Sequence, residues 1–99
     1  MSEPIGEITV IIDQDYVPQK ISENYILAYS VNVQAYKDNN SLGASIGSSE
    51  ADPRKTANQK GVIIYPSQSK PFSKADLSNL YISAKTGDRF LVQYNKSAS

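Results

Sequence analysis

From Tyr25 to Tyr36 the chain reads YILAYSVNVQAY, with apolar side chains at every second position, Tyr25, Leu27, Tyr29, Val31, Val33 and Ala35, and with Ser30, Asn32 and Gln34 between the later ones. A two-residue period turns alternate side chains to opposite sides of an extended backbone, so one side of this stretch is core and the other is wet. Read as one strand it spans roughly 40 Å at about 3.3 Å per residue, long enough for shorter strands to register against it. The alternation recurs from Glu7 to Asp13, where Ile8, Val10 and Ile12 face one way; Ile11, on the nominally polar side, points to a second contact surface. Leu42, Ala44 and Ile46 alternate after the turn formers Lys37–Asp38–Asn39–Asn40–Ser41, which predicts a hairpin with the long strand. The continuous apolar run Gly61–Tyr65 suits a strand covered on both faces. Tyr81 to Ala84 and Arg89 to Tyr94 form two more strands joined by the turn Lys85–Asp88, with Phe90, Val92 and Tyr94 on one side.

The intervening segments are polar. Asp13 to Asn24 holds Pro18 and reads as a turn with a short edge strand at Tyr16–Val17. Gly47 to Lys60 is the longest polar loop, with no residue apolar enough to anchor it, and loops of that length are usually functional or mobile. PSQSKP is a turn leading to Phe72, and Ser73 with Asp76 makes a weak capping box that would start one turn of helix, held down by Leu77 and Leu80. Residues 1–6 read as a loose arm, 7–95 as a single domain and 96–99 as a frayed tail. Six to eight short strands separated by turns predict an all-β, antiparallel sandwich or barrel.

Composition narrows the chemistry. Ninety-nine residues fit one domain with a radius of gyration of about 13 Å and a thin core, for which oligomerisation would supply further buried surface. Without Cys or His there are no disulfides, no thiolate metal sites, and neither the commonest general base nor the commonest transition-metal ligand. Asp13, Asp15 and Asp38 are not set in a calcium loop, and the acids Glu7, Asp13, Asp15 and Glu23 have no cleft signal around them, so no enzyme activity, metal or cofactor is expected. No apolar run reaches the ~20 residues that span a bilayer, and the N-terminus lacks the marks of a signal peptide, so synthesis in the cytoplasm without export is expected and a membrane partner is not. The net charge of zero hides a division: −5 over residues 1–50 and +5 over 51–99. Interleaving strands would mix these charges on one surface; otherwise the subunit is bipolar and meets its neighbours acid to base. Dispersed lysines without exposed aromatics between them argue against nucleic acid.

The run from Ile46 to Tyr94 resembles a recurring module of tailed-bacteriophage virion proteins. Its pieces are Ile46–Gly47–Ser48–Ser49 closing a strand, a variable polar loop, Gly61–Val62–Ile63–Ile64–Tyr65–Pro66, a turn to Phe72, Asp76 through Ala84, Thr86–Gly87–Asp88, and Phe90–Leu91–Val92–Gln93–Tyr94. The family pattern has glycine where Ser67 stands here. The resemblance implies a jelly-roll-like sandwich without catalytic residues, located in the virion, decorating the capsid or forming part of a head or tail fibre. Its partner would be the major capsid protein or another virion protein, and a trimer is one assembly it would form. The rival reading is a carbohydrate-binding module that recognises a host surface glycan through exposed tyrosines. Seven tyrosines and no tryptophan suit either role: Tyr25, Tyr29 and Tyr94 fall on core faces, leaving Tyr16, Tyr36, Tyr65 and Tyr81 free to be exposed, the last three as contact candidates. Ile11, Arg54, Lys55, Lys70 and Lys74 complete the candidate docking residues, the cations suiting an acidic partner surface.

Overall fold

In the computed structural model, which describes residues 5–54 and 59–96, the strands pair as one long hairpin folded over on itself. The strands are β1 (Ile5–Ile11), β2 (Gln19–Lys20), β3 (Leu27–Ala28), β4 (Ser30–Ala35), β5 (Ala44–Gly47), β6 (Val62–Ile64), β7 (Ser69–Phe72), β8 (Ala75–Asp76), β9 (Tyr81–Ser83) and β10 (Arg89–Asn95). The first pairs with the last, the second with the ninth, and so inward to β5 with β6, always antiparallel. Two further pairings, β10 with β4 and β5 with β9, knit this hairpin into two four-stranded sheets, β1-β10-β4-β7 and β2-β9-β5-β6, leaving β3-β8 as a small third sheet. The expected all-β, antiparallel, sandwich-like architecture is thus observed, with ten strands among the described residues where six to eight were expected. The acidic and basic halves interleave in both sheets, so their charges mix. The radius of gyration is 12.9 Å.

The core lies between the two larger sheets. Val10, Ile12, Val31, Val33, Ala35, Phe90 and Val92 come from the first, and Ala44, Ile46, Ile64 and Ile82 from the second. Each larger aliphatic or aromatic side chain buried there contributes about 1.5–3 kcal/mol. The predicted phases of β1 and β10 hold: Val10, Ile12, Phe90 and Val92 are buried, while Ile11 is 53% exposed on the other side. Strand β1 starts at Ile5, so it takes in two residues read as part of the arm; residues 1–4, Lys55 and the tail residues 97–99 lie outside the described residues.

The long central strand is interrupted. The Tyr29 N–H donates to the Asn95 carbonyl as the chain passes from β3 into β4, and the buried residues on the two sides of this step are Ala28 and Val31, three apart rather than two. The phase therefore slips by one, and Tyr25 and Tyr29, expected in the core, are 69% and 40% exposed. No hairpin joins β4 to β5, because Tyr36–Gly43 carries the chain from one layer to the other. The Asn39 side chain holds this crossing by donating to the Arg89 carbonyl (2.8 Å) and accepting from the Arg89 N–H (2.8 Å), and the Asn40 N–H donates to Asp88 Oδ1 (3.0 Å).

Four smaller expectations are also corrected. Strand β6 is an edge of its sheet, which leaves Val62 and Tyr65 exposed in a run expected to be covered twice. The short edge strand falls at β2, three residues further along than the Tyr16–Val17 prediction, because Tyr16 turns the chain at φ 55°. Where a helical turn was expected, Asp76 Oδ1 accepts from the Ser78 N–H (2.9 Å) and hydroxyl (2.8 Å), a local bonding pattern that competes with helix, and β8 forms instead. Leu77 is fully buried and Leu80 half-buried as expected. The turn after β6 is shorter than PSQSKP, since β7 begins at Ser69; Ser67 sits within it at φ 70°, a conformation suited to glycine.

Candidate functional site

The two larger sheets differ in what covers their outer sides. Ser45, Gly47, Tyr81 and Ser83 share the outer side of the second sheet by register, yet Ser45 and Ser83 are completely buried. The loop after β5 covers Ser45. Its Ala51 and Pro53 are buried, contrary to the expectation that nothing in it was apolar enough to anchor. Asp52 and Lys60 bridge through their backbones, and the Ser45 hydroxyl donates to the Lys60 carbonyl. Gly61, at φ 100°, brings this return segment so close to Ser45 and Ile46 that a β-carbon would collide with them. The described parts of this loop, residues 47–54 and 59–60, therefore form a lid seated on the second sheet.

The outer side of the first sheet carries no such cover among the described residues. Beyond the Asn95–Ser30 pair at one end, three cross-strand rows line it: Glu7–Gln93–Asn32–Pro71, Thr9–Leu91–Gln34–Ser69, and Ile11–Arg89 continuing to Tyr36, whose N–H donates to the Arg89 carbonyl. The Arg89 guanidinium carbon lies 4.7 Å from the Tyr36 ring centroid, a stacked arrangement that fixes both side chains. The Gln93 amide donates to Glu7 (2.9 Å). Charge on these rows is confined to Glu7 and Arg89; the rest is amide, hydroxyl and apolar surface. Two shallow depressions of about 370 Å³ each mark the face, one bordered by Asn32, Pro71, Gln93 and Asn95, the other by Gln34, Tyr36, Ser67 and Leu91.

Of the residues singled out from sequence, only Ile11 and Tyr36 meet on this face. Arg54 belongs to the lid, where its guanidinium bonds Asp52 (2.8 and 3.0 Å) and lies 5.0 Å from the Tyr16 ring centroid. That bonding draws the Asp52 carboxyl below its ordinary range. Tyr65 packs beside Gly43, and Lys74 lies 5.1 Å from the ring centroid of Tyr29. Lys70 stands opposite Val33, on the core-facing side of edge strand β7, and Tyr81 is half-buried on the lidded sheet. Asn32, Gln34, Arg89, Leu91 and Gln93 complete the open face and were not singled out. The polar positions of β4 and β10 were readable as solvent-facing, but only strand order makes the two strands neighbours.

A second polar cluster ties the ends of the sandwich. Thr86 donates to Asp15 Oδ1 from its hydroxyl (2.6 Å) and its N–H (2.9 Å), and Lys85 Nζ reaches Oδ2 (3.1 Å). These bonds, the Thr86 hydroxyl first, hold the Asp15 carboxyl at about 2. Each Asp15 oxygen is already engaged, which makes this a structural clasp. Among the described residues no group of three acidic side chains is placed to hold a metal ion, and no helix is long and apolar enough to cross a membrane. In comparison with known proteins, no family model matches the chain, and no curated protein matches it in sequence.

Proposed function

We propose that this chain is a non-catalytic structural protein of a tailed-phage virion, a capsid decoration module that docks on the head surface through the open side of its first sheet. The observation that carries the docking reading is the asymmetry between the sheets, one closed by its own loop and the other, among the described residues, bare, continuous and nearly uncharged. Depletion of charge, with Tyr and Arg present, is the composition of an interface centre. The nested pairing supports a jelly roll: without β3 and β8, the sheets have the order obtained by wrapping one eight-stranded hairpin around a barrel. That arrangement agrees with the resemblance of residues 46–94 to virion modules. Mechanistically, the core fixes the backbone of β4 and β10, and the amide and hydroxyl groups on their outer sides bond a largely preformed partner surface.

The test is co-sedimentation with heads of the phage that encodes it, prepared without this protein. Binding is expected to saturate and to weaken by about tenfold or more when Leu91→Arg places an unpaired charge at the centre of the face. Absence of binding to heads and to every other virion part would remove the proposal. A second reading, recognition of a host glycan, is favoured by the Tyr36 ring held by Arg89 beside the Gln34 amide, since planar rings and amides are groups that pack on and bond a sugar. Retention on host polysaccharide, lost in Tyr36→Ala with head binding intact, would select it.

A further inference from the structure

An antiparallel sheet without closure has two edges, and each exposed edge presents unpaired N–H and C=O groups to any strand that fits. Three of the four edges of the larger sheets are blunted. Strand β2 has two residues and β6 three, while β7 carries Lys70 and Pro71, the latter without an N–H. Strand β1 differs. It has seven residues, IGEITVI, rich in β-branched side chains, with neither proline nor lysine and Glu7 as its sole charge.

The backbone direction along β1 follows from two contacts. The Ile12 N–H donates to the Asp88 carbonyl on the β10 side, whereas the Ile11 carbonyl accepts from Gln19 Nε2 (2.9 Å) on the opposite side. In an antiparallel pair these directions alternate, so Gly6, Ile8 and Val10 bond β10 while Ile5, Glu7, Thr9 and Ile11 present their backbone groups to the free edge. Gln19 closes one end of that edge, because its Oε1 also accepts from the Asp13 N–H (3.0 Å). Among the described residues, none pairs with the N–H and C=O of Glu7 and Thr9 or with the Ile11 N–H.

We propose that β1 pairs antiparallel with β1 of a second copy of this chain, about a two-fold axis at Ile8, joining the two first sheets into one eight-stranded sheet. Parity and charge select both the occupant and the register. A two-fold at Glu7 sets one carboxylate directly across from the other, which is repulsive. A two-fold at Thr9 aims the Glu7 N–H at the partner's Ile11 carbonyl, already taken by Gln19. The two-fold at Ile8 pairs Glu7 with the partner's Thr9 and Thr9 with the partner's Glu7, using only free groups. It also lets the Ile11 N–H donate to the partner's Ile5 carbonyl, so that the carbonyl held by Gln19 blocks only the end of the ladder, where the Ile5 N–H goes without a strand acceptor, and no like charges stand opposite. Ile8, packed against the core yet only half-buried, then meets the partner's Ile8 and finishes its burial. The edge is its own complement, which is what an isologous dimer requires.

The test is sedimentation equilibrium over a range of protein concentrations with amide hydrogen exchange on the same samples. Wild type is expected at twice the 10.9 kDa chain mass, with exchange at Glu7, Thr9 and Ile11 slowing at least about tenfold as concentration rises. Thr9→Pro removes an edge-facing donor without touching the β10 ladder and is expected to weaken the dimer by about tenfold or more; Thr9→Val, which keeps the N–H, leaves it unchanged. A chain that stays at 10.9 kDa, a trimer, or a dimer whose Glu7 and Thr9 amides exchange freely would overturn the proposal. Should Thr9→Pro fail to fold, wild-type exchange decides alone. Failure here leaves head binding through the outer face intact, so the two proposals fall separately.

Discussion

At the scale of single residues, the sharpest consequences follow from Asp15 and Ser67. The three bonds to Asp15 stabilise its charged form, so the folded carboxyl titrates at about 2 against an ordinary value near 3.9. Depressed in the folded state, it contributes stability that is complete above about pH 4 and is lost as pH falls through about 2. Asp15→Asn is expected to lower the urea midpoint at pH 6 and to narrow its gap from wild type towards pH 2; a gap constant with pH would show that the clasp is absent in solution. Ser67 occupies a left-handed conformation at φ 70°, and Ser67→Gly is expected to raise stability by about 0.5–1 kcal/mol in denaturant melts. Phe90 fills the centre of the core, and Phe90→Ala is expected to cost about 3–5 kcal/mol.

Among the elements, the crossing at Tyr36–Gly43 bears most on the open face. The Asn39 side chain pairs with both backbone groups of Arg89, as a neighbouring strand would, and so holds in place the strand that carries Arg89, Leu91 and Gln93. Asn39→Ala is expected to lower stability by about 1–3 kcal/mol, and hydrogen exchange should locate the loosening at Arg89. This is the level at which reading from sequence reached its limit. The phases of β1 and β10, the turn at Thr86–Gly87 and the core role of Leu77 follow from local alternation and were legible. Tyr25 and Tyr29 were misplaced because aromatic residues on an apparent period-two stripe do not reveal a one-residue slip, and burial of the small Ala28 gives no signal. The lid escaped notice because Ala51 and Pro53 are weak hydrophobic signals, buried by what the loop lies upon rather than by any period of their own. The open face needed β4 and β10 to be neighbours, a long-range fact that alternation within each strand does not contain.

For the molecule as a whole, pairing of first strand with last and inward to the middle means that no strand of the first half, apart from β5, finds its nested partner close by in the chain. Topologies dominated by distant pairs close large loops before contacts reward them, so folding in milliseconds to seconds is expected in stopped-flow refolding. Strand β10, sheathed between β1 and β4, supplies Phe90 and Val92 to the core and Arg89, Leu91 and Gln93 to the open face. A ribosome delivers that strand after the other nine of the described residues. Its two neighbours must wait side by side with a vacant lane between them, and a nascent chain halted before Arg89 has half of one layer unjoined, which makes it prey for proteases and chaperones until the final stave drops into place.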